Sequence, residues 1–400
     1  MRSLWTSTTA RYARESVSKP PPKESASPKT SSDFCFLNGR SDSRLSDVER
    51  LTMLGGGGLD RILQRLGKTL EGVNLDAFST GLEPSVLRAS QERLHTLRTQ
   101  GAIAELFRPI GPPRPPAVVP VHGFPFGSVI DLEFRSEFPA ASWGHDPSYQ
   151  AVESNRNSYV RLWEHNDDHE GRATIVAIHG WTMGDQRVNS LAFMPGLLYT
   201  LGCNVALVEL PFHGRRRPVG VPESDPLFPS IDPVRTCVAM AHALHDLRAL
   251  AAFLSSRGHS RLSCVGMSLG AYVAALWASV DVLRRVALLV PLVSMGDMAH
   301  ELLVKRFGSS EGAAIGVDVA VLRDLFSDHY PLSRDPQTAQ ESIMVVRGKG
   351  DQLVSRGQIA ILRRAWPRAK YLWADGGHGA PVKRGETFAR MTDFLLEKGE

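Results

Sequence analysis

Short runs of apolar residues recur along the chain and alternate with longer segments in which the apolar residues have helical spacing. In most of these runs nearly every position is apolar, which is typical of strands buried on both faces of a parallel sheet. Two earlier segments, 129–134 and 159–163, alternate between apolar and polar positions and would open the sheet. The predicted buried strands are 174–178, 204–208, 262–265, 286–290, 343–346 and 371–373. The pattern predicts a doubly wound, mostly parallel α/β sheet.

Helices are predicted from the spacing of apolar positions in the segments around these strands. The predicted helices cover 59–70, 84–107, 188–201, 232–256, 271–277 and 388–397. The longest has Asp232 as its N-cap and Pro233 at its first position, because a side-chain oxygen can accept the unpaired N–H groups there and proline has none. The segment 295–340 is also mostly helical and interrupts the strand–helix rhythm, which predicts a lid insertion. Apolar side chains in this lid either form a pocket wall or pack the lid on the body.

Composition divides the chain into three regions. Residues 1–54 are rich in Ser, Pro, Lys and Arg and poor in apolar residues, which predicts a disordered tail. Residues 55–127 form a helical prelude that ends in a proline-rich, extended strap at 109–120. Residues 128–400 are predicted to form the α/β domain that carries the lid.

Charge and cysteine usage exclude several classes of function. The formal net charge is only +4 and no basic stripe is interleaved with aromatic residues, so nucleic acid is not an expected partner. No apolar run approaches the ~18 residues of a membrane span. The four cysteines are scattered, which favours buried thiols and a reducing, cytoplasmic location. Neither a metal nor a cofactor is expected, because the histidines lack zinc-ligand spacing and no phosphate-binding glycine loop is present. The oligomeric state is left open.

One stretch carries the strongest chemical signal. The predicted strand 262–265 leads into Gly266-Met267-Ser268-Leu269-Gly270, and helical spacing follows at once. A Gly-x-Ser-x-Gly segment between a strand and a helix is typical of a nucleophile elbow, a tight turn that projects the serine hydroxyl above the sheet edge. The glycines have no Cβ, which lets strand and helix approach closely. Ser268 is therefore the candidate nucleophile.

Two later turns offer an acid and a base. Asp351 follows the predicted strand 343–346 in a glycine-bounded turn, and His378 has glycines on both sides in the loop after the last predicted strand. A serine hydroxyl needs a base to take its proton, and the base needs an acid to hold its tautomer. Because both turns follow parallel strands, we expect them at the same sheet edge as the serine. Asp297 and Asp375 compete with Asp351 as the acid.

The elbow followed by an acid and then a histidine resembles the α/β-hydrolase superfamily, and the similarity spans about 129–400. The resemblance implies the α/β-hydrolase fold, with Ser268 as the nucleophile, Asp351 as the orienting acid and His378 as the general base. A minority of the superfamily uses an acid after the strand that follows the elbow. Asp297 occupies that position, so this alternative stays open.

The same resemblance implies an oxyanion hole, in which backbone N–H groups hold the negative charge that forms on the carbonyl oxygen. The predicted donors are the N–H groups of Met267, assigned to the position immediately after the nucleophile, and of Trp181, in a loop similar to the His-Gly-x segment of the superfamily. Other residues of this loop and of the loop after the next strand are predicted to support the hole by hydrogen bonds. The predicted supporting residues are His179, Gly180, Glu209 and His213.

These residues predict a serine hydrolase that cleaves a small-molecule carboxylic ester or thioester through an acyl-enzyme intermediate. An acyltransferase would use the same triad with an alcohol or thiol in place of water, and the lid would decide between the two. A non-catalytic binding protein could also retain the fold. Labelling of Ser268 by a fluorophosphonate separates the enzymatic hypotheses from the binding one.

Overall fold

The computed structural model describes residues 84–101, 108, 110–139, 147–167, 169–222, 225–230, 232–307, 318–351, 353–378, 381–382 and 384–397. The predicted tail at 1–54 and the predicted helix at 59–70 lie outside these residues. A ten-stranded sheet forms the centre of the described structure. Its strands are β1 (Ala117–Phe124), β2 (Gly127–Arg135), β3 (Asn157–His165), β4 (Ala173–Ile178), β5 (Asn204–Val208), β6 (Arg261–Met267), β7 (Val286–Leu289), β8 (Ile343–Gly348), β9 (Lys370–Gly376) and β10 (Pro381–Val382).

The strand order is β1-β2-β3-β5-β4-β6-β7-β8-β9-β10. The neighbouring strands β5, β4, β6, β7, β8 and β9 run parallel. The pairs β1–β2, β2–β3, β3–β5 and β9–β10 are antiparallel. The predicted mostly parallel, doubly wound sheet is thus confirmed. Ile178 pairs with Gly266, and Gly266 pairs with Leu288, so β4, β6 and β7 end at one level. The loops that follow these strands therefore meet at the carboxyl edge of the sheet.

Helices cover both faces of this sheet. Side chains of β4 alternate between two apolar clusters, with Val176 and Ile178 in one and Ile175 and Ala177 in the other. Burial on both faces explains why the central strands are apolar at nearly every position. The helices are α1 (Pro84–Thr99), α2 (Pro147–Gln150), α3 (Gln186–Phe193), α4 (Pro195–Thr200), α5 (Pro233–Ser256), α6 (Leu269–Val280), α7 (Met295–Phe307), α8 (Val319–Leu325), α9 (Arg356–Ala365) and α10 (Arg384–Leu396). Short 3₁₀ helices lie at Glu153–Arg156, Gly214–Arg216, Ser327–His329, Pro331–Ser333 and Gln340–Ser342.

Helix α5 begins where the sequence predicts. The Asp232 carboxylate accepts the N–H groups of Val234 and Arg235, and Pro233 occupies the first position. Among the described residues, α5 is the one helix long and apolar enough to cross a membrane, but 72% of its apolar window is buried inside the protein. Its side chains belong to the larger apolar cluster. The apolar composition of α5 is accounted for by packing in the core.

The predicted helix at 188–201 is divided into α3 and α4. Met194 separates the two helices in a left-handed conformation, with φ of 48°, and Pro195 opens α4. A residue before proline is disfavoured in the right-handed helical region, and proline has no N–H to continue the ladder. The apolar spacing on both sides of Met194 concealed this break.

The predicted insertion at 295–340 contains α7, α8 and two of the 3₁₀ helices. Leu322 and Leu325 of α8 are fully buried in the larger apolar cluster. Arg98 of α1 donates to the Asp328 carboxylate at 2.8 Å and to the backbone carbonyl of Asp324 at 2.7 Å. These contacts pack the insertion on the body of the protein. Its action as a lid remains a prediction.

The hairpin of β1 and β2 extends the sheet beyond the strands that the sequence predicts. Ala117 pairs with Glu133 and Phe124 with Gly127, so the end of the predicted strap runs along the edge of the sheet. The predicted boundary between 55–127 and 128–400 falls at this hairpin, and the division itself remains a prediction. The predicted buried cysteines Cys203, Cys237 and Cys264 are all in the interior. The fourth, Cys35, lies outside the described residues.

Candidate active site

Ser268 occupies a strained turn between β6 and α6. Its φ is 53° and its ψ is −111°, and its N–H donates to the carbonyl oxygen of Leu289 at 2.9 Å. Positive φ is unusual for a residue with a side chain, and such strain clusters at functional sites. A Cβ on Gly266 would collide with the backbone of Gly270, and a Cβ on Gly270 would collide with the carbonyl oxygen of Ile178. Strand and helix approach so closely that only glycine fits at both positions.

The Ser268 hydroxyl lies at one end of a hydrogen-bonded relay. Its Oγ is 2.8 Å from Nε2 of His378, and Nδ1 of His378 is 2.9 Å from Oδ2 of Asp351. The other carboxylate oxygen, Oδ1, accepts the N–H groups of Leu353 and Val354, each at 3.0 Å. With Nδ1–H donated to the carboxylate, Nε2 keeps a lone pair toward the hydroxyl. This arrangement can take a proton from Ser268.

The strand order explains why these residues meet. Ser268 follows β6, Asp351 follows β8 and His378 follows β9, and all three strands end at the carboxyl edge. The Asp351 side chain is fully buried, and that of His378 is 9% exposed. Ligands of open parallel sheets bind in crevices at this edge.

The two competing acids are engaged elsewhere. Asp297, in the first turn of α7, contacts the guanidinium of Arg323 at 2.5 Å. Burial raises the pKa of Asp297, but the hydrogen bonds and charge of Arg323 outweigh burial and hold it below the usual value. Asp375 pairs with Nζ of Lys349 at 2.6 Å. Among the three candidates, Asp351 is the carboxylate that contacts His378.

The loop after β4 packs against the nucleophile. A Cβ built on Gly180 would lie 3.5 Å from the Cβ of Ser268, and Trp181 follows directly. His179 is buried; its Nδ1–H donates to the Gly180 carbonyl at 2.8 Å, and its Nε2 accepts the Leu210 N–H at 3.0 Å. Burial lowers the pKa of His179 to about 4, so the imidazole is neutral near pH 7. These hydrogen bonds hold the loop that carries Trp181 beside Ser268.

The predicted donor Met267 requires correction. Met267 precedes Ser268 and is the last residue of β6, where it pairs with Leu289. The residue after the serine is Leu269, the first residue of α6. The first N–H groups of a helix, that of Leu269 included, have no acceptor within the helix. The rule for an elbow places the donor after the nucleophile, so Leu269 replaces Met267 as the candidate.

Glu209 and His213 lie in the loop after β5 and pack behind the loop of His179. The Glu209 carboxylate accepts the backbone N–H and the Nε–H of Arg215, both at 2.8 Å, and Nε2–H of Gln186 at 3.0 Å. Burial raises the pKa of Glu209, and the charge of Arg215 opposes that rise. The His213 ring packs edge-on against the His179 ring at 4.9 Å between centroids. Both residues contact the neighbouring loops rather than Ser268.

Comparison with known sequences identifies relatives without an assigned activity. No protein-family model matches the chain. An uncharacterized protein of Mycobacterium tuberculosis, Rv2627c in strain H37Rv and MT2702 in strain CDC 1551, is 29% identical over 252 residues. The match covers 61% of this chain and 59% of the relative. The chain thus spans about three-fifths of the length of the curated relatives that it matches.

Comparison with solved structures identifies the fold. Acetyl xylan esterase 1 from Thermoanaerobacterium sp. JW/SL YS485 matches with a TM-score of 0.50 and 14% identity, over 75% of this chain and 92% of that one. The Pyrococcus furiosus esterase Pf2001 matches with a TM-score of 0.44 and 18% identity, over 73% of this chain and 98% of that one. Together with the sheet order and the elbow, the first match shows that the chain has the α/β-hydrolase fold, as the sequence predicts.

Proposed function

We propose that the protein is a serine hydrolase that cleaves a small-molecule carboxylic ester or thioester. The observation that carries the proposal is the relay of Ser268, His378 and Asp351, with distances of 2.8 and 2.9 Å between successive side chains. Those distances lie within the range that proton transfer between a nucleophile and its base requires. Acetyl xylan esterase 1, which has a similar fold, supports this class of reaction by analogy of fold alone.

In the proposed first step, Ser268 Oγ attacks the acyl carbonyl carbon and its proton passes to Nε2 of His378. The Asp351 carboxylate holds Nδ1–H and stabilises the imidazolium that forms. The tetrahedral intermediate then collapses, and the alkoxide or thiolate leaves with the proton from His378. The acyl group remains on Ser268 as an ester.

In the second step, His378 takes a proton from water, and the resulting hydroxide attacks the acyl-enzyme. Collapse of the second tetrahedral intermediate returns the proton to Ser268 and releases the carboxylic acid. We assign the oxyanion of both intermediates to the N–H groups of Leu269 and Trp181, with the α6 N-terminus adding its partial positive charge. Removing one such donor typically costs about 10²–10³ in kcat.

Intact-protein mass spectrometry after treatment with a fluorophosphonate tests this assignment. We expect one adduct per chain, mapped to Ser268 by peptide fragmentation. Ser268→Ala should take no adduct, whereas Ser128→Ala, a matched change in β2 at the far side of the sheet, should label like the native chain.

A panel of p-nitrophenyl esters of increasing acyl length measures turnover in the same proteins. We expect release of p-nitrophenolate with an initial burst where deacylation is slow, and loss of that burst in Ser268→Ala. A folded native chain that neither labels at Ser268 nor hydrolyses any ester of the panel would refute the proposal. Transfer of the acyl group to added alcohol or thiol, in excess of hydrolysis, would replace it by an acyltransferase.

A further inference from the structure

Three side chains able to bind a metal ion gather at the edge of the sheet opposite the proposed active site. Glu164 lies in β3, His169 lies between β3 and β4, and His259 lies just before β6. Each offers one donor atom, and these atoms lie within 4.8 Å of one another. Strand β6 begins at this edge and ends beside Ser268, about 20 Å away by its length. The group is therefore separate from the relay.

Two nitrogens of this group are buried and have no hydrogen-bond partner, Nδ1 of His169 and Nε2 of His259. His259 is fully buried, and its Nε2 lies 3.8 Å from Oε2 of Glu164, beyond hydrogen-bonding distance. A buried polar atom left unpaired costs stability and requires a physical explanation. Two imidazole nitrogens and a carboxylate oxygen are a donor set that zinc accepts in proteins.

The surroundings of His259 favour its action as a ligand. Its Nδ1 lies 2.9 Å from Oγ1 of Thr174. The Nδ2 amide of Asn204 lies 3.4 Å from the same hydroxyl oxygen and from Nδ1. When Oγ1 of Thr174 accepts from both Nδ1–H and this amide, the lone pair of Nε2 is left toward the group. A second hydrogen bond of this kind accompanies most metal-bound histidines.

We propose that Glu164, His169 and His259 bind one divalent transition-metal ion, and that Zn²⁺ fits this donor set best. Three protein donors leave one position of a four-coordinate ion for water. The ion would join the end of β3, the β3–β4 connection and the start of β6. Its effect is on stability rather than on ester cleavage, because the group lies at the other edge of the sheet.

Binding requires a small adjustment of His169. Donor atoms held at about 2.1 Å from a tetrahedral ion lie about 3.4 Å from one another. The present donor atoms are separated by up to 4.8 Å, so these separations must shorten by up to about 1.4 Å. The His169 and His259 rings stack with centroids 4.2 Å apart, and the half-buried His169 ring must turn out of this stack. The guanidinium of Arg257 contacts both oxygens of Glu164 at 3.0 Å and remains as the outer partner of the carboxylate.

Calorimetric titration of the metal-free 400-residue chain with ZnCl₂ tests the site. We expect one ion per chain, with the Kd weakened at least tenfold in His169→Ala. His95→Ala, which removes an exposed histidine of α1, should bind like the native chain. Because His169 is half-buried, its variant should keep the native circular dichroism spectrum. Zinc at about a hundred times Kd should raise the native melting temperature by about 5 °C and that of His169→Ala by much less.

X-ray absorption of the zinc-loaded protein gives a second measurement. We expect nitrogen and oxygen neighbours and no sulfur, and Glu164→Gln should weaken binding as His169→Ala does. Equal zinc affinity in the native chain and His169→Ala would overturn the proposal, as would sulfur coordination or a native Kd in the millimolar range. Ester hydrolysis and fluorophosphonate labelling should be unchanged by removal of zinc, so failure here is distinguishable from failure of the proposed function.

Discussion

Replacing Asp351 with asparagine tests the relay while keeping the shape of the side chain. The two backbone donors of Leu353 and Val354 converge on Oδ1 at 3.0 Å, so the asparagine oxygen should remain there. The amide NH₂ then occupies the position of Oδ2 and faces Nδ1 of His378, 2.9 Å away in the native protein. The ring must accept at Nδ1 and carry its proton on Nε2, where it can no longer receive the proton of Ser268.

The expected magnitude follows from this exchange of tautomers. A change from acid to amide that leaves such a relay in place lowers kcat by about 10⁴, equivalent to about 5 kcal/mol of transition-state stabilisation. Folding should be affected little, because the introduced amide has a hydrogen-bond partner for its oxygen and for its nitrogen. The loss should therefore appear in kcat/KM while the melting temperature changes by a few degrees at most.

Stopped-flow hydrolysis of p-nitrophenyl esters and the rate of fluorophosphonate labelling measure the effect. Asp297→Asn is the matched control, because Asp297 pairs with Arg323 instead of His378 and its loss should leave turnover nearly unchanged. Retention of more than about a tenth of native kcat/KM in Asp351→Asn would contradict this role of Asp351, since the wrong tautomer would then not limit proton transfer. Loss of turnover in Asp297→Asn alone would transfer the acid's role to that residue.

Three further predictions concern the elements around the site. Gly270→Ala places a methyl group against the Ile178 carbonyl, so ester turnover should fall at least about 100-fold. Gly357→Ala in α9 is the control, because its methyl group would make only ordinary van der Waals contact and turnover should be retained. Asp232→Ala removes the N-cap of α5 and should lower the unfolding free energy by about 1 kcal/mol in urea titrations, with turnover of the folded enzyme unchanged. Burial lowers the folded-state pKa of His179 to about 4, below the unfolded value of about 6.5, so the unfolded state binds the extra proton between these values. This residue should therefore lower the unfolding free energy by about 2 kcal/mol as the pH falls from 7.5 to 5.0. His179→Gln should reduce the slope of unfolding free energy against pH in this range. An identical slope in the variant would contradict the lowered pKa of His179.

The sequence predicted the central strands well because their signal is local. Strand β5 was predicted at its observed bounds, and β4 within one residue, since a side chain buried on both faces must be apolar wherever it points. The outer strands β1 and β10 were not predicted. Proline and glycine interrupt the apolar pattern of β1, and β10 contains only two residues, so neither has a period that can be recognised.

The candidate site was predicted in part. The elbow and the histidine loop were recognised from glycine spacing, which reflects a backbone requirement that acts within a few residues. The choice among Asp297, Asp351 and Asp375 stayed open in the sequence, because each follows a predicted strand. In the structure, Asp351 contacts His378 while the other two contact cations. The pairing depends on which loops the strand order brings together.

The α/β architecture, the strained serine turn after β6 and the capped start of α5 can all be predicted from the amino-acid pattern. Each of these follows from burial or backbone geometry within one element. The folded chain was needed to show which carboxylate meets His378, how α1 packs on the insertion, and that Glu164, His169 and His259 lie together. Such contacts join residues distant in the chain, so their proximity depends on sheet order and loop paths rather than on any local pattern.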